Sequence, residues 1–235
     1  MKGLIIFDLD DTLVDTSHVY WLAKENFIAL FTKAGFKKEY IDDLFESIDT
    51  DNIRQLGHSP LRYLKSMNDA YDQLISEGRI PDSKTNRERI EMYGRQILTN
   101  LPEPIEGARE LLEWSGQHFS LALITRGTEE LQLQKLRHAD FTHYFEKITV
   151  VSHKNEDTFK STALDFRITA GETWVIGDSI KTDINPGIKA GMKCIFYQYR
   201  HHSYQWIQEY GEKPIGEYFE IQKIKDAISI LGKEV

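Results

Sequence analysis

The spacing of hydrophobic and polar residues changes twice along the chain. Residues 4–7 form a short continuous apolar run, which is typical of a strand buried on both faces. From residue 16 to about residue 101 the apolar positions recur every three or four residues, and this spacing predicts amphipathic helices. From Pro102 onward, helical spacing alternates with short apolar runs at 120–125, 148–151, 173–176, 193–197 and 218–221.

The helical stretch divides into four predicted segments. The first runs from residue 19 to Gly35, and the second covers residues 40–48. The third starts at Pro60 and reaches Gly78, and the fourth lies around residues 90–98. Residues 51–58, between the second and third segments, are predicted to form a loop.

The alternation after Pro102 predicts βαβ units. Such units give an α/β fold in which a doubly wound parallel sheet carries helices on both faces. Because the strand at residues 4–7 belongs to the same sheet, the helical stretch is predicted to be an insertion after the first strand. No GxGxxG turn follows that strand, so the sequence does not support dinucleotide binding.

Composition narrows the class of protein. Hydrophobic residues make up 40% of the 235 residues and charged residues 28%, as in ordinary globular proteins. No signal peptide or membrane-spanning run is evident, so a cytoplasmic location is expected. The single cysteine, Cys194, lies in an apolar run and is expected to be a buried structural thiol. A net charge of −8 argues against binding to nucleic acid or to anionic membranes.

Polar clusters follow four of the predicted strands. Ligands of doubly wound sheets bind at the carboxyl ends of the strands, so these clusters are expected to meet in one place. Any one of them alone would indicate only a turn or a helix cap, whereas four in register indicate a site. They are Asp8, Asp10 and Thr12; Thr125, Arg126 and Gly127; His153 and Lys154; and Gly177, Asp178 and Ser179 with Asp183.

These residue types suit phosphoryl transfer through an aspartate. A carboxylate nucleophile needs a hard cation beside it, and Asp8 and Asp178 can supply oxygen ligands to Mg²⁺. A lysine after the third strand would add a second positive charge. Asp10 is placed to protonate the leaving oxygen and then to deprotonate water. Thr125 offers a hydroxyl group, and backbone N–H groups near Gly127 can meet phosphate.

The same residues carry a resemblance to a known family. The sequence resembles the haloacid dehalogenase-like (HAD) hydrolase superfamily, in its phosphatase branch with a helical cap inserted after the first motif. The resemblance implies a Rossmann-like catalytic core at residues 1–15 and 103–235, a helical cap at 16–102, Mg²⁺ and an aspartyl-phosphate intermediate. It also implies that Asp10 offers its backbone carbonyl to the metal. The matching motifs are DxDxT at residues 8–12, Thr125, and GDSxxxD at residues 177–183.

Several roles stay open at this level. Lys154 is favoured over Lys160 as the site lysine because it directly follows a strand. Thr12, Arg126 and Gly127 are candidates for substrate binding, although Arg126 could equally face solvent. Asp183 is expected to support the metal ligands. In the cap, the charged residues form either a solvated face or a surface that holds an anionic substrate; they are Arg54, His58, Arg62 and Lys65.

The leading functional hypothesis is a Mg²⁺-dependent phosphatase that acts on a small phosphorylated metabolite. A haloacid dehalogenase is an alternative, but Asp10 and Asp178 count against it. A phosphomutase differs only in the fate of the phosphoenzyme, so the sequence does not separate it from a phosphatase. A signalling receiver phosphorylated on aspartate is the non-enzyme alternative, and the helical insertion counts against it. The sequence leaves the oligomeric state open.

Overall fold

The computed structural model of the chain describes residues 3–57, 60–199 and 212–235. It divides into two compact units. One unit consists of Met1–Ser17 together with Pro102–Val235, and the other of His18–Leu101. None of the helices formed by the described residues has both the length and the apolar content needed to cross a lipid bilayer.

The first unit is built on a parallel sheet. The described residues form six strands in the order β3-β2-β1-β4-β5-β6, and every neighbouring pair is parallel. This confirms the predicted α/β fold, and each apolar run of the sequence lies in one of the strands. The strands are β1 (Leu4–Phe7), β2 (Ser120–Arg126), β3 (Lys147–Val151), β4 (Thr173–Gly177), β5 (Lys193–Tyr197) and β6 (Phe219–Ile221).

Helices cover both faces of this sheet. They are α5 (Ala108–His118), α6 (Glu129–His138), α7 (Glu156–Asp165), α8 (Asn185–Lys189) and α9 (Ala227–Leu231). Ile5 and Phe7 pack on one side with residues of α5 and α9, whereas Leu4 and Ile6 pack on the other with residues of α7. All four are fully buried, which explains why β1 is a continuous apolar run.

The strand order determines where a ligand would bind. β1 lies between β2 and β4, and the winding of the chain reverses at this point. At such a reversal the loops that follow two neighbouring strands diverge and leave a crevice at their carboxyl ends. The residues after β1 and β4, including Asp8 and Asp178, border this crevice.

The chain leaves and re-enters the first unit through two adjacent segments. The backbone N–H of Asp15 donates to the Glu103 carbonyl at 2.9 Å, and the N–H of Ile105 donates to the Leu13 carbonyl at 2.9 Å. The helical insertion therefore leaves and rejoins the first unit at one place, between β1 and α5.

The second unit is helical, as predicted. Its helices are α1 (Thr16–Thr32, which begins in the first unit), α2 (Lys38–Leu56), α3 (Pro60–Ser76) and α4 (Lys84–Thr99). Buried aromatic side chains fill the space between them. Phe27, Phe31, Phe45, Tyr63 and Tyr71 are each at most 1% exposed, and their rings contact one another.

The predicted loop at residues 51–58 is wrong for most of its length. α2 continues to Leu56 and ends at Gly57, which adopts a φ of 71°. The inner face of its last turns carries buried polar residues, among them Asn52, whose amide donates to Ser66 Oγ at 3.2 Å. The apolar spacing therefore stops before the helix does. His58 lies outside the described residues.

The structure also corrects the interpretation of Arg62 as a residue of a solvated face. Arg62 is 2% exposed, and its guanidinium forms an ion pair with the equally buried Asp49. Arg54 and Lys65 are exposed, as a solvated face requires, and pair with Asp51 and Asp69. Arg62 is thus part of the interior of the helical unit.

Candidate active site

Asp8 occupies the first position after β1. Its backbone N–H donates to the Ile176 carbonyl of β4 at 2.9 Å, so the start of the loop after β1 is held against β4. The residue is 7% exposed. Burial raises the pKa of Asp8 to about 6; Lys154 opposes this shift, and Asp183 and Asp10 add to it.

Lys154 lies three residues beyond the end of β3 and reaches Asp8. Its ammonium contacts Asp8 Oδ1 and lies 2.6 Å from Asp183 Oδ1, and its side chain is 3% exposed. The lysine that the sequence favoured is therefore in contact with Asp8. Burial works to lower the pKa of Lys154, but the charges of Asp183 and Asp8 raise it above its ordinary value.

Lys160 lies elsewhere. It is exposed on α7 and pairs with Glu156, one turn earlier on the same helix, at 3.2 Å. The site therefore contains the lysine that the sequence favoured, because the end of a strand leads into the crevice and the middle of a helix does not.

Three carboxylates converge beside Lys154. In the part of the chain that the structure describes, Asp8, Asp178 and Asp183 each have an oxygen within 4.8 Å of the others. The Thr12 hydroxyl lies between two of them, 3.2 Å from Asp8 Oδ2 and 3.4 Å from Asp178 Oδ1. A donor set made only of hard oxygen atoms suits Mg²⁺.

Asp183 reaches this cluster because of the loop that follows β4. Ile180–Ile184 forms a turn of π-helix, a conformation often found at functional sites. The turn brings Asp183 against Gly177, where a Cβ atom would lie 2.5 Å from Asp183 Cγ. The backbone N–H of Ser179 also donates to Asp183 Oδ2 at 3.2 Å. Only glycine at position 177 leaves room for this carboxylate.

Asp10 lies in a hydrogen-bonded network of its own. Its Oδ1 accepts from Lys135 Nζ and from Thr16 Oγ1, both at 2.5 Å, and its Oδ2 accepts from Gln132 Nε2 at 2.7 Å. Burial alone would raise the pKa of Asp10, but the Lys135 charge and the hydrogen bonds from Lys135, Thr16 and Gln132 lower it below its ordinary value.

The end of β2 borders this network, and Thr125 belongs to it. Thr125 is fully buried, and its Oγ1 lies 2.5 Å from Gln132 Nε2. Arg126 is half-buried at the end of β2. The N–H of Gly127 donates to the Val151 carbonyl at 3.2 Å, so in this structure it is engaged with β3.

Sequence reasoning missed Gln132 and Lys135. Both lie on α6, and the buried residues of this helix and its C-cap are Gln132, Lys135, Leu136 and Ala139. These positions have the i, i+3, i+4, i+7 spacing of a buried helix face. Two long polar residues at positions where apolar residues are expected were the available signal.

Cys194 is buried, as expected for a structural thiol. Burial, with a smaller contribution from Asp183, raises the pKa of its thiol to about 12. The thiol is therefore protonated at neutral pH and is a poor nucleophile.

Named relatives resemble this chain over nearly its whole length. It is 25% identical over 241 residues to the glyceraldehyde 3-phosphate phosphatase of Pyrococcus abyssi, covering 100% of this chain and 95% of the relative. It is 22% identical over 219 residues to the N-acylneuraminate-9-phosphatase of Rattus norvegicus, covering 90% of this chain and 84% of the relative.

Solved structures share the fold. A haloacid dehalogenase-like family hydrolase from Xanthomonas campestris superposes with a TM-score of 0.75 at 24% identity, covering 99% of this chain and 91% of that one. YfnB of Bacillus subtilis, a HAD hydrolase solved bound to magnesium, superposes with a TM-score of 0.65 at 22% identity, covering 98% and 99%. The family model for haloacid dehalogenase-like hydrolases matches residues 5–197. The chain therefore belongs to the haloacid dehalogenase-like hydrolase family.

Proposed function

We propose that this protein is a Mg²⁺-dependent phosphatase that hydrolyses a small phosphorylated metabolite through an aspartyl-phosphate on Asp8. The observation that carries the proposal is the position of Asp8 at the central crevice, where its carboxylate contacts Lys154 and lies close to the carboxylates of Asp178 and Asp183. The named relatives support the substrate class, because glyceraldehyde 3-phosphate phosphatase and N-acylneuraminate-9-phosphatase are named for small phosphorylated carbohydrates.

The carboxylates of Asp8 and Asp178 and the backbone carbonyl of Asp10 would hold the magnesium ion. The converging oxygens of Asp8, Asp178 and Asp183 support this assignment, and so does the magnesium bound to YfnB. When bound, Mg²⁺ neutralises negative charge and polarises the phosphoryl oxygens. Asp183 lies close to both the metal ligands and Lys154. Its contact with Lys154 favours a role in holding the lysine in place.

The protein side chains account for both chemical steps. In the first, a carboxylate oxygen of Asp8 attacks phosphorus, the bond to the leaving oxygen breaks, and that oxygen takes the proton of Asp10. In the second, Asp10 takes a proton from water, the water oxygen attacks phosphorus, and the bond to Asp8 breaks to release phosphate.

We also propose that the helical unit acts as the cap that selects the substrate. Arg54 and Lys65 are its candidate contacts to an anionic substrate, because they are exposed and their ion pairs lie on the surface. Such exposed pairs contribute little to stability and are easily exchanged for another anion. Arg62 is not a candidate, since its guanidinium is buried against Asp49.

A panel of esters tests the proposed reaction. The purified chain is incubated with Mg²⁺ and 4-nitrophenyl phosphate, triose and hexose phosphates and a sialic acid phosphate, and free phosphate is measured. We expect multiple turnovers on the aryl ester and on at least one sugar phosphate. Chloride release from a 2-chloroalkanoate without phosphate release would contradict the proposal, and transfer of the phosphoryl group to a second sugar hydroxyl would indicate a mutase.

Replacing Lys154 with methionine should lower kcat on 4-nitrophenyl phosphate by about 10²–10³-fold. The ammonium is buried against Asp8 and neutralises charge that grows in the transition state, whereas methionine keeps the length of the side chain without its charge. Lys160→Met is the matched control, because it removes an exposed lysine from α7. Equal activity of the two variants, with unchanged circular dichroism, would remove Lys154 from the catalytic residues.

A further inference from the structure

We propose that Gln132 and Lys135 are positioning residues that fix the carboxyl group of Asp10 for proton transfer to the leaving oxygen. The proposal rests on the phosphatase activity proposed above, and it adds two residues of α6 to the machinery of that activity. Neither residue belongs to a motif that the sequence analysis identified.

The geometry accounts for both oxygens of Asp10. Lys135 and Thr16 hold Oδ1, and Gln132 holds Oδ2, so rotation of the carboxyl group about its terminal bond would break contacts at both ends. If Thr16 were the only partner of Asp10, Oδ2 would lose the hydrogen bond from Gln132. A proton donor must be held in a productive geometry within a few tenths of an ångström, and fixed partners provide this.

Gln132 also connects Asp10 to the residue that ends the second strand. Its Nε2 lies 2.7 Å from Asp10 Oδ2 and 2.5 Å from Thr125 Oγ1, so one amide joins side chains from the ends of β1 and β2. Gly127 leaves space for it, since a Cβ at that position would lie 3.1 Å from Gln132 Cδ. Gly127 therefore lies in close contact with this amide.

Packing alone does not explain these two residues. Gln132 is 1% exposed and Lys135 is 7% exposed, and burial of polar and charged groups is costly unless they are paired. Apolar side chains at the same positions would bury α6 without that cost. The contacts that compensate for it are made to Asp10 and Thr125, which points to the orientation of these groups as the reason for the pair.

The leaving group reveals whether Asp10 is well placed. An alkoxide is a poor leaving group and needs the Asp10 proton as the bond to phosphorus breaks, whereas a dinitrophenolate leaves without it. The value of kcat/KM reports the steps up to formation of the phosphoenzyme, in which this proton moves. A misplaced Asp10 therefore slows alkyl esters far more than activated aryl esters.

The test compares kcat/KM for glycerol phosphate, phenyl phosphate, 4-nitrophenyl phosphate and 2,4-dinitrophenyl phosphate in the full chain with Mg²⁺. In Lys135→Met and in Gln132→Met we expect losses of about 10–100-fold on glycerol phosphate and less than about 3-fold on the dinitrophenyl ester. Arg137→Met, on the exposed side of the same helix, is the matched control and should leave all four values unchanged.

Equal losses on all four esters, or no loss on any, would overturn the inference. Gln132→Met changes no charge, so it provides the decisive comparison if Lys135→Met fails to fold by circular dichroism. Restoration of the alkyl ester rate in Lys135→Arg would support the role of the donor. Inactivity of the wild-type protein on every ester would contradict the proposed phosphatase itself, a result distinct from equal losses in active variants.

Discussion

Asp8→Asn should lower kcat by at least about 10³-fold on any phosphate ester that the wild-type protein hydrolyses. Asparagine keeps the shape of the side chain but removes the negative charge that attacks phosphorus. The fold should survive, because Asp183 still pairs with Lys154 and repulsion among the carboxylates decreases. Initial rates on 4-nitrophenyl phosphate, together with thermal melting, measure both effects.

Asp157→Asn is the control for this substitution, because Asp157 is exposed in the first turn of α7. It should leave the rate within about a factor of two, as is usual for surface positions. Mass spectrometry must show that the introduced asparagine has not deamidated back to aspartate. Near-normal turnover in such a preparation would remove Asp8 from the role of nucleophile.

Removal of divalent metal should abolish turnover, and added Mg²⁺ should restore it. Asp8, Asp178 and Asp183 concentrate negative charge at one point, and Lys154 alone does not balance it. Binding to the folded state also raises stability, so Mg²⁺ should raise the melting temperature of the chelated protein. Asp178→Asn should weaken this stabilisation, which gives a readout independent of activity.

The control for metal removal is the same chelator already saturated with Mg²⁺, which should leave turnover unchanged. Full activity after exhaustive chelation and dialysis would contradict the metal requirement and would favour a dehalogenase-type reaction. A melting temperature that does not respond to Mg²⁺ in the wild-type protein would argue against binding at these carboxylates.

The sheet was predictable because its central strands β1, β2 and β4 are buried on both faces. Runs such as residues 4–7 and 193–197 contain little besides apolar residues, so the structure reproduces their bounds. The polar clusters after the strands were predictable as well, because the carboxyl ends of parallel strands lie at the same edge of the sheet. Asp8 and Lys154, separated by 146 residues in the chain, come into contact in this way.

Pairings between side chains on different helices could not be predicted. The sequence shows Arg62 and Asp49 as charged residues, and only the packing of α2 against α3 buries them together. Lys135 and Gln132 occupy positions of α6 where apolar residues are expected, but their contacts with Asp10 depend on where α6 lies in the fold. Hydrophobic spacing reports burial by apolar residues, so it fails where polar groups are buried in pairs.

The buried pair of Arg62 and Asp49 affects how the substrate preference of this protein can be engineered. Removing one member of such a pair leaves the other charge buried without a partner. This lowers the free energy of unfolding by about 3–5 kcal/mol, a large share of the ~5–15 kcal/mol of a typical domain. An Arg62 variant that is inactive in a mutational library is therefore expected to have lost its fold. Its position in the helical insertion would otherwise suggest a change in substrate binding. Libraries that test the proposed role of the helical unit in substrate selection should keep Arg62 and Asp49 together and vary Arg54 and Lys65, whose charged groups are exposed to solvent.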